Sequence, residues 1–188
     1  MPLLCAAVNA AAALALATVL APGVSLAPSA GGAAYVADHL AAWRAGWTLW
    51  IAAALSLLAF FAWWAARLGW SKVSRLAVAL AVAGVIFDVA AEARLIGWSP
   101  EQPFDVGSAL RQSGVAANGL YSVAGLLLVS RTRGLSPALA VWSWAVWLAG
   151  IALAVAAAAS NDDASRLFTA VLFALFVPWL VVFGRRLA

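Results

Sequence analysis

Charged residues are scarce in this chain of 188 residues, where they make up 10% of the sequence against 66% for hydrophobic residues. A soluble domain usually carries about 25% charged residues, so the composition excludes an ordinary soluble fold. The one cysteine, Cys5, excludes an internal disulfide and a thiolate metal cluster. The one histidine, His39, excludes a haem held by two histidines of this chain. No metal site is predicted, and no cofactor is identified.

The hydrophobic residues form six long runs, and nearly all charges lie between them. A transmembrane helix needs roughly 20 apolar residues, whereas a transmembrane barrel would show alternating residues. The runs therefore predict an all-α, polytopic membrane protein with six transmembrane helices in one bundle and a single domain over residues 1–188. The predicted spans are Leu3–Leu26, Gly46–Ala66, Leu76–Gly97, Val106–Val129, Ala138–Ala158 and Leu167–Phe183.

The first run is either a retained helix or a removed signal peptide. It lacks a basic segment before the apolar stretch, and the stretch is longer than the roughly 7–15 residues of a signal peptide. Ser25-Leu26-Ala27 has the small-x-small pattern of a cleavage site, but Pro28 would follow the cut. These features favour a retained helix.

Basic residues lie mainly in the segments on one side of a six-span arrangement. They are Arg67, Lys72, Arg75, Arg131, Arg133, Arg185 and Arg186, with no acidic residue among them. The opposite side holds Arg44, Arg94, Arg111 and Arg166 together with Asp38, Glu101, Asp105, Asp162 and Asp163. The positive-inside rule then predicts cytoplasmic termini and a multi-pass protein of the bacterial inner membrane. The basic residues form no stripe or arm, so no nucleic-acid binding is predicted.

Most of the 11 tryptophans lie near the ends of predicted spans. They are Trp43, Trp47, Trp63, Trp64, Trp70, Trp98, Trp142, Trp144 and Trp179. Amphipathic rings at such positions usually lie at the headgroup level, so they predict interfacial belts. Trp50 and Trp147 lie deeper and are candidates for an aromatic cage around a flat or cationic ligand.

The segment before span two carries a helical stripe of its own. Val36, Leu40, Trp43 and Trp47 recur at spacings of four, three and four. Either span two begins early, or a short helix lies in the outer interface. His39 is interpreted there as an interfacial polar residue rather than a catalytic one.

Two acidic residues lie inside the third run, Asp88 near its middle and Glu92 one helical turn further on. The i,i+4 spacing places both carboxylates on one helix face. A charge at the bilayer centre costs about 2.5–3.5 kcal/mol, so such residues normally face the bundle interior and find a partner. Span four offers Arg111, Asn118 and Tyr121 on one face. We therefore predict a binding site of these five residues, with a Glu92–Arg111 ion pair and an Asp88–Asn118 hydrogen bond.

The second half of the chain has a recognisable layout. It carries Asn-Gly-Leu-Tyr-Ser at 118–122, Leu-Ser-Pro-Ala-Leu-Ala-Val-Trp at 135–142 and Phe-Val-Pro-Trp-Leu at 176–180. This layout resembles that of uncharacterised small six-span bacterial membrane proteins and covers about the last 70 residues. The resemblance transfers no site residue.

Three functions fit these observations. The preferred one is binding or transport of a small solute or ion through the carboxylate cluster, in a cavity open to the outer face. The second is a structural or accessory subunit of a larger membrane complex. The third is an intramembrane enzyme that uses the carboxylates as acid and base, which is less favoured because the sequence offers no serine nucleophile motif or histidine pair. The predicted partners are the lipid bilayer, a small-molecule ligand, and a second copy or a partner membrane subunit.

Overall fold

A computed structural model of the chain describes residues 1–24, 30–99, 102–103 and 105–187. These residues form an all-helical structure in which six helices are long and apolar enough to cross a membrane. The helices are α1 (Pro2–Gly23), the short α2 (Ala30–Asp38), α3 (Leu40–Arg67), α4 (Lys72–Gly97), α5 (Val106–Val129), α6 (Pro137–Ala158) and α7 (Asp162–Leu187). The predicted all-α class and its six long apolar helices are confirmed. The predicted end of span one at Leu26, the cleavage pattern Ser25 to Pro28, and Glu101 lie outside the described residues.

Local capping signals set several of the helix ends. Ser136 precedes α6, where its Oγ accepts a hydrogen bond from the backbone N–H of Leu139 at 3.3 Å and Pro137 occupies the first helical turn. Asp105 precedes α5, and its Oδ1 accepts from the backbone N–H of Ser108 at 3.1 Å. Hydrogen bonds from Ser108 lower the pKa of Asp105 from its ordinary value. These caps place the polar loop residues at the helix ends and leave the apolar segments uninterrupted.

The junction between α2 and α3 resolves the two alternatives left open for the helical stripe. Span two begins at Leu40, earlier than the predicted Gly46, and the short helix α2 precedes it. His39 lies between the two helices and is exposed. Its ring stacks on Tyr35 with centroids 4.4 Å apart, and its Nδ1 donates to the carbonyl oxygen of Tyr35 at 2.9 Å. Span two thus begins early, as the first alternative predicted, and the short helix α2 carries the first residue of the stripe.

The six long helices form a closed ring in chain order. Each of α3, α4, α5, α6 and α7 packs against the long helix before it in the chain. The last helix, α7, also packs against α1 and so closes the ring. Short connections join neighbouring helices at alternating ends. Each long helix therefore turns one face toward the centre of the ring.

The two ends of the ring differ in charge. At the basic end, Arg186 Nη2 donates to the carbonyl oxygen of Gly134 at 3.4 Å, which brings the end of α7 to the loop before α6. At the acidic end, Arg166 Nη2 donates to the carbonyl oxygen of Val24 at 3.4 Å. The residues of the basic end are those predicted to lie together: Arg67, Lys72, Arg75, Arg131, Arg133, Arg185 and Arg186.

Aromatic rings fill much of the ring interior toward the basic end. This aromatic cluster consists of Phe60, Phe61, Trp64, Trp147, Phe176, Trp179 and Phe183. Trp179 and Phe183 stack with centroids 4.5 Å apart, and Trp64 meets Phe183 at 4.7 Å. Trp179 Nε1 donates to Ser143 Oγ at 2.9 Å, so its polar group is satisfied inside the cluster. Facing positions are often alanine, as at Ala77 and Ala81, which leaves room for the rings.

The predicted interfacial belt is wrong for several tryptophans. Trp43, Trp47, Trp64, Trp98 and Trp179 are buried between helices, with Trp64 and Trp179 having no exposed area. The position of a tryptophan along its helix sets the depth of the indole in the bilayer. The helix face that carries the tryptophan sets what the indole contacts. Trp43, Trp64 and Trp98 lie near helix ends, as the sequence indicated, whereas Trp47 and Trp179 lie about two turns inside their helices. All five side chains are directed toward other helices.

Gly125 of α5 marks a close approach between α5 and α6. A Cβ atom at this position would overlap the indole ring of Trp147, so only glycine fits without displacement. We expect Gly125→Ala to lower the free energy of unfolding by about 1–3 kcal/mol, as overpacking of a filled core does. Thermal or denaturant unfolding of the purified protein in detergent measures the change.

Gly119→Ala on the same helix is the matched control. Its added Cβ would lie 3.8 Å from the Cβ of Ala154, which is an ordinary contact. We expect this variant to unfold like the parent protein. Equal losses of stability in the two variants would contradict the close approach at Gly125.

Candidate functional site

The centre of the helix ring contains a cavity of about 60 Å³, here called the central cavity. Each of the six long helices contributes to its wall. Representative lining residues, in helix order, are Asn9, Trp50, Asp88, Tyr121, Trp147 and Phe176. The space suffices for a few water molecules or one small ligand. The predicted deep tryptophans, Trp50 and Trp147, thus lie on the same cavity as the predicted carboxylate Asp88.

Asp88 is the acidic group of the central cavity, and it is 6% exposed. Its Oδ1 accepts a hydrogen bond from Ser113 Oγ, and its Oδ2 accepts one from Tyr121 Oη at 3.2 Å. Both donors belong to α5, so this helix holds the carboxyl group of α4 in place. The predicted Asp88–Asn118 hydrogen bond is wrong, because Asn118 Nδ2 donates instead to the carbonyl oxygen of Ser113 at 3.4 Å.

A π-helical turn over Gln112–Ala117 explains this difference in partners. The turn adds one residue relative to a regular helix, which rotates the preceding residues by about 100° relative to the following ones. The predicted face with Arg111 assumed an uninterrupted helix. With the extra residue, Ser113 faces Asp88, and Asn118 supplies a donor to a carbonyl group in the widened turn. Such turns are frequent at functional sites.

Glu92 is buried without a hydrogen-bond partner. It is 1% exposed, and within the described part of the chain neither of its carboxyl oxygens accepts a hydrogen bond. The predicted Glu92–Arg111 pair, as a hydrogen-bonded ion pair, is therefore wrong. Arg111 is half-buried near the start of α5, where its charge acts on Asp105. The π-helical turn that brings Ser113 to Asp88 also changes the direction of Arg111.

Cationic side chains near the site are directed away from both carboxyl groups. Arg94 Nη1 donates to Gln112 Oε1 at 3.1 Å, and Nη2 donates to Ser108 Oγ. Across residues 1–24, 30–99, 102–103 and 105–187, no arginine or lysine donates a hydrogen bond to Asp88 or Glu92. Two carboxyl groups inside the bundle thus lack a hydrogen-bonded cation from these parts of the chain.

The structure brings together three of the five predicted site residues. Asp88, Asn118 and Tyr121 line the central cavity, whereas Glu92 and Arg111 are not among its lining residues. Ser113 was not among the residues predicted from the sequence. It is a polar residue that lies one position away from the polar face of a regular α5. The aromatic wall was only partly anticipated, through Trp50 and Trp147.

The chemistry of the site is that of a carboxyl group among hydroxyl groups and aromatic rings. The described residues contain no group of three or more histidine, cysteine, aspartate or glutamate side chains that could hold a metal ion.

Comparison of the chain with protein-family models, with curated proteins and with solved structures gives no match. The site is therefore interpreted from its own geometry: a carboxyl group in this position can exchange a proton or attract a cation.

Proposed function

We propose that the protein binds a small polar or charged solute in the central cavity, within the inner membrane of a bacterium, with Asp88 as the main binding group. The observation that carries the proposal is the position of Asp88 on a cavity lined by all six long helices. Ionisable residues inside membrane bundles are costly and typically mark solute paths, ion sites or proton relays. We propose further that the bound solute is transported across the bilayer.

The proposed orientation has both chain termini in the cytoplasm. It is supported by the basic end, which collects seven basic residues without an acidic neighbour in the same loops. Basic residues in short loops favour the cytoplasmic side. In this orientation the C-terminal end of α4 lies at the outer face, and Glu92 lies between Asp88 and that end.

A structural or accessory role is the second candidate. Both oxygens of Asp88 already accept hydroxyl groups of α5, and buried polar contacts of this kind join membrane helices by about 0.6 kcal/mol each. Apolar side chains such as Leu14, Ile86 and Val141 are 66%, 63% and 70% exposed on the outside of the ring, where lipid or a partner subunit would cover them. An intramembrane enzyme gains no support, since Glu92 does not share the cavity with Asp88.

A ligand screen on the detergent-purified protein tests the proposed binding. Thermal unfolding is followed with small cations, anions and neutral solutes at constant pH and ionic strength, and native mass spectrometry is run in parallel. We expect at least one class of solute to raise the unfolding temperature, because a ligand at 100 times its Kd stabilises the folded state by about 2.7 kcal/mol. Asp163→Asn, which alters an exposed carboxylate, should respond like the parent protein.

The same experiment separates the two candidates. A retained small molecule supports binding, whereas a co-purified protein together with no response to any solute supports the accessory role. The absence of stabilisation by every class of solute would contradict the proposed function.

A further inference from the structure

We infer that the ligand of the central cavity is a small ammonium ion, of the size of ammonium or methylammonium, held between the Asp88 carboxylate and the surrounding aromatic rings. This inference rests on the proposed function, because it names the chemical class of ligand for that same cavity. It is carried by four features of the site: its charge, its aromatic wall, its size and the presence of a single carboxyl group among neutral polar side chains.

Two acidic side chains lie close together inside the ring, which favours a bound cation there. Asp88 accepts two hydroxyl donors, which orient the carboxylate without neutralising it. Glu92 lies one helical turn away, is 1% exposed, and has no hydrogen-bond partner among the described residues. The arginine nearest in sequence, Arg94, is bonded to α5 side chains. Burying carboxylates without a cation is costly, and a cation bound at Asp88, one helical turn from Glu92, offsets part of that cost.

Aromatic carbon forms a large part of the cavity wall. Trp50 meets Phe173 edge-on with ring centroids 5.6 Å apart, and Trp147 meets Phe176 at 5.8 Å. All four rings line the cavity. The Nε1 atoms of Trp50 and Trp147 are covered and without a hydrogen-bond partner in the described structure, so these indoles present ring carbon to the cavity. The face of an aromatic ring attracts a cation within about 6 Å of the centroid, and ammonium ligands are typically recognised in this way.

The volume of the cavity restricts the ligand to a very small one. About 60 Å³ is far below the roughly 300–1,000 Å³ of pockets for drug-sized ligands. Asn9, Asn118 and Ser122 also line the cavity and carry oxygens of the kind that accept N–H groups. Ammonium and methylammonium combine a positive charge, several N–H donors and a size that matches this space.

A metal ion fits the same wall less well. Sites for Ca²⁺ and Mg²⁺ are typically built around carboxylate oxygens, whereas this cavity offers one carboxylate, Asp88, among neutral hydroxyl and amide groups and aromatic carbon. The described residues bring together no group of three histidine, cysteine, aspartate or glutamate side chains. An ammonium ion instead needs one carboxylate and neighbouring aromatic rings, and Asp88 and the four tryptophan and phenylalanine side chains line this cavity.

Isothermal titration of the full chain in detergent tests the ligand class. Methylammonium chloride, sodium chloride and methanol are titrated separately, with the bulky cation N-methylglucamine keeping the ionic strength constant. We expect methylammonium to bind and the sodium ion and methanol not to bind. Trp50→Leu should weaken methylammonium binding about 2- to 30-fold through the lost cation–π interaction. Trp50→Phe, which retains a ring, should keep most of the affinity.

Trp144→Leu is the matched control, because Trp144 is 42% exposed on the outside of the ring and should leave the affinity unchanged. Binding of sodium or methanol as tight as that of methylammonium would overturn the ammonium assignment. So would an unchanged Kd in Trp50→Leu. Either result leaves the proposed function intact, whereas failure of all solutes in the titration and in the stability screen overturns both.

Discussion

Replacing Asp88 with asparagine is expected to weaken methylammonium binding by about 10- to 150-fold, since a hydrogen bond to a charged group contributes about 1.5–3 kcal/mol. The substitution keeps the shape of the side chain and removes its negative charge. The amide oxygen can still accept one hydroxyl group of α5, from Ser113 or Tyr121, so the fold should persist. Titration calorimetry measures the affinity, and thermal unfolding of the same sample verifies that the variant is folded.

Glu92→Gln and Asp163→Asn serve as comparisons for this result. Glu92 does not line the cavity and Asp163 lies exposed at the start of α7, so neither substitution removes the proposed binding group. Asp163→Asn should bind like the parent protein, and Glu92→Gln should lose far less affinity than Asp88→Asn. If Asp88→Asn changes only the stability and leaves the affinity intact, Asp88 joins α4 to α5 and binds no ligand.

Replacing Trp179 with alanine is expected to lower the free energy of unfolding by about 3–5 kcal/mol, the usual cost of deleting a large buried aromatic side chain. Trp179 has no exposed area and lies at the middle of the aromatic cluster. Its ring meets Phe60, Trp147 and Phe183 with centroids 5.8, 5.6 and 4.5 Å apart. The loss includes the hydrogen bond from Nε1 to Ser143 Oγ.

Trp144→Ala provides the control for Trp179→Ala. Trp144 has the same chemistry but is 42% exposed on the outside of α6. We expect its loss to change the free energy of unfolding far less, as measured by denaturant titration in the same detergent. Similar losses for the two variants would contradict the packing of Trp179 inside the ring and would restore the interfacial belt for this residue.

The long-range features of the fold follow only in part from the sequence. The apolar runs predicted six helices, and the bounds of α5 agree with Val106–Val129 because Asp105 and the polar residues after Val129 delimit that run. The closed ring, in which α1 meets α7, depends on contacts between distant segments that periodicity does not encode. The sequence predicted a cavity at the carboxyl groups, but a wall made by all six long helices follows from this closure and could not be predicted.

The candidate site, like the fold, could be predicted only in part. The spacing of Asp88 and Glu92 indicated an inward face of α4, and both side chains are buried. The partners of Asp88 were not predicted, because the π-helical turn at Gln112–Ala117 changes the phase of α5, and the only signal of it was the out-of-phase polar residue Ser113. Likewise, Trp64 was placed at the correct helix end but on the wrong face, because the position along a helix fixes the depth of a side chain and not its direction.

The most direct measurement of the central claim is the infrared difference spectrum of the protein on addition of methylammonium. If the cation contacts the carboxyl group of Asp88, the spectrum should contain a carboxyl band that is absent in Asp88→Asn and retained in Glu92→Gln. A spectrum without any carboxyl change, or a carboxyl band that persists in Asp88→Asn, would contradict binding at Asp88.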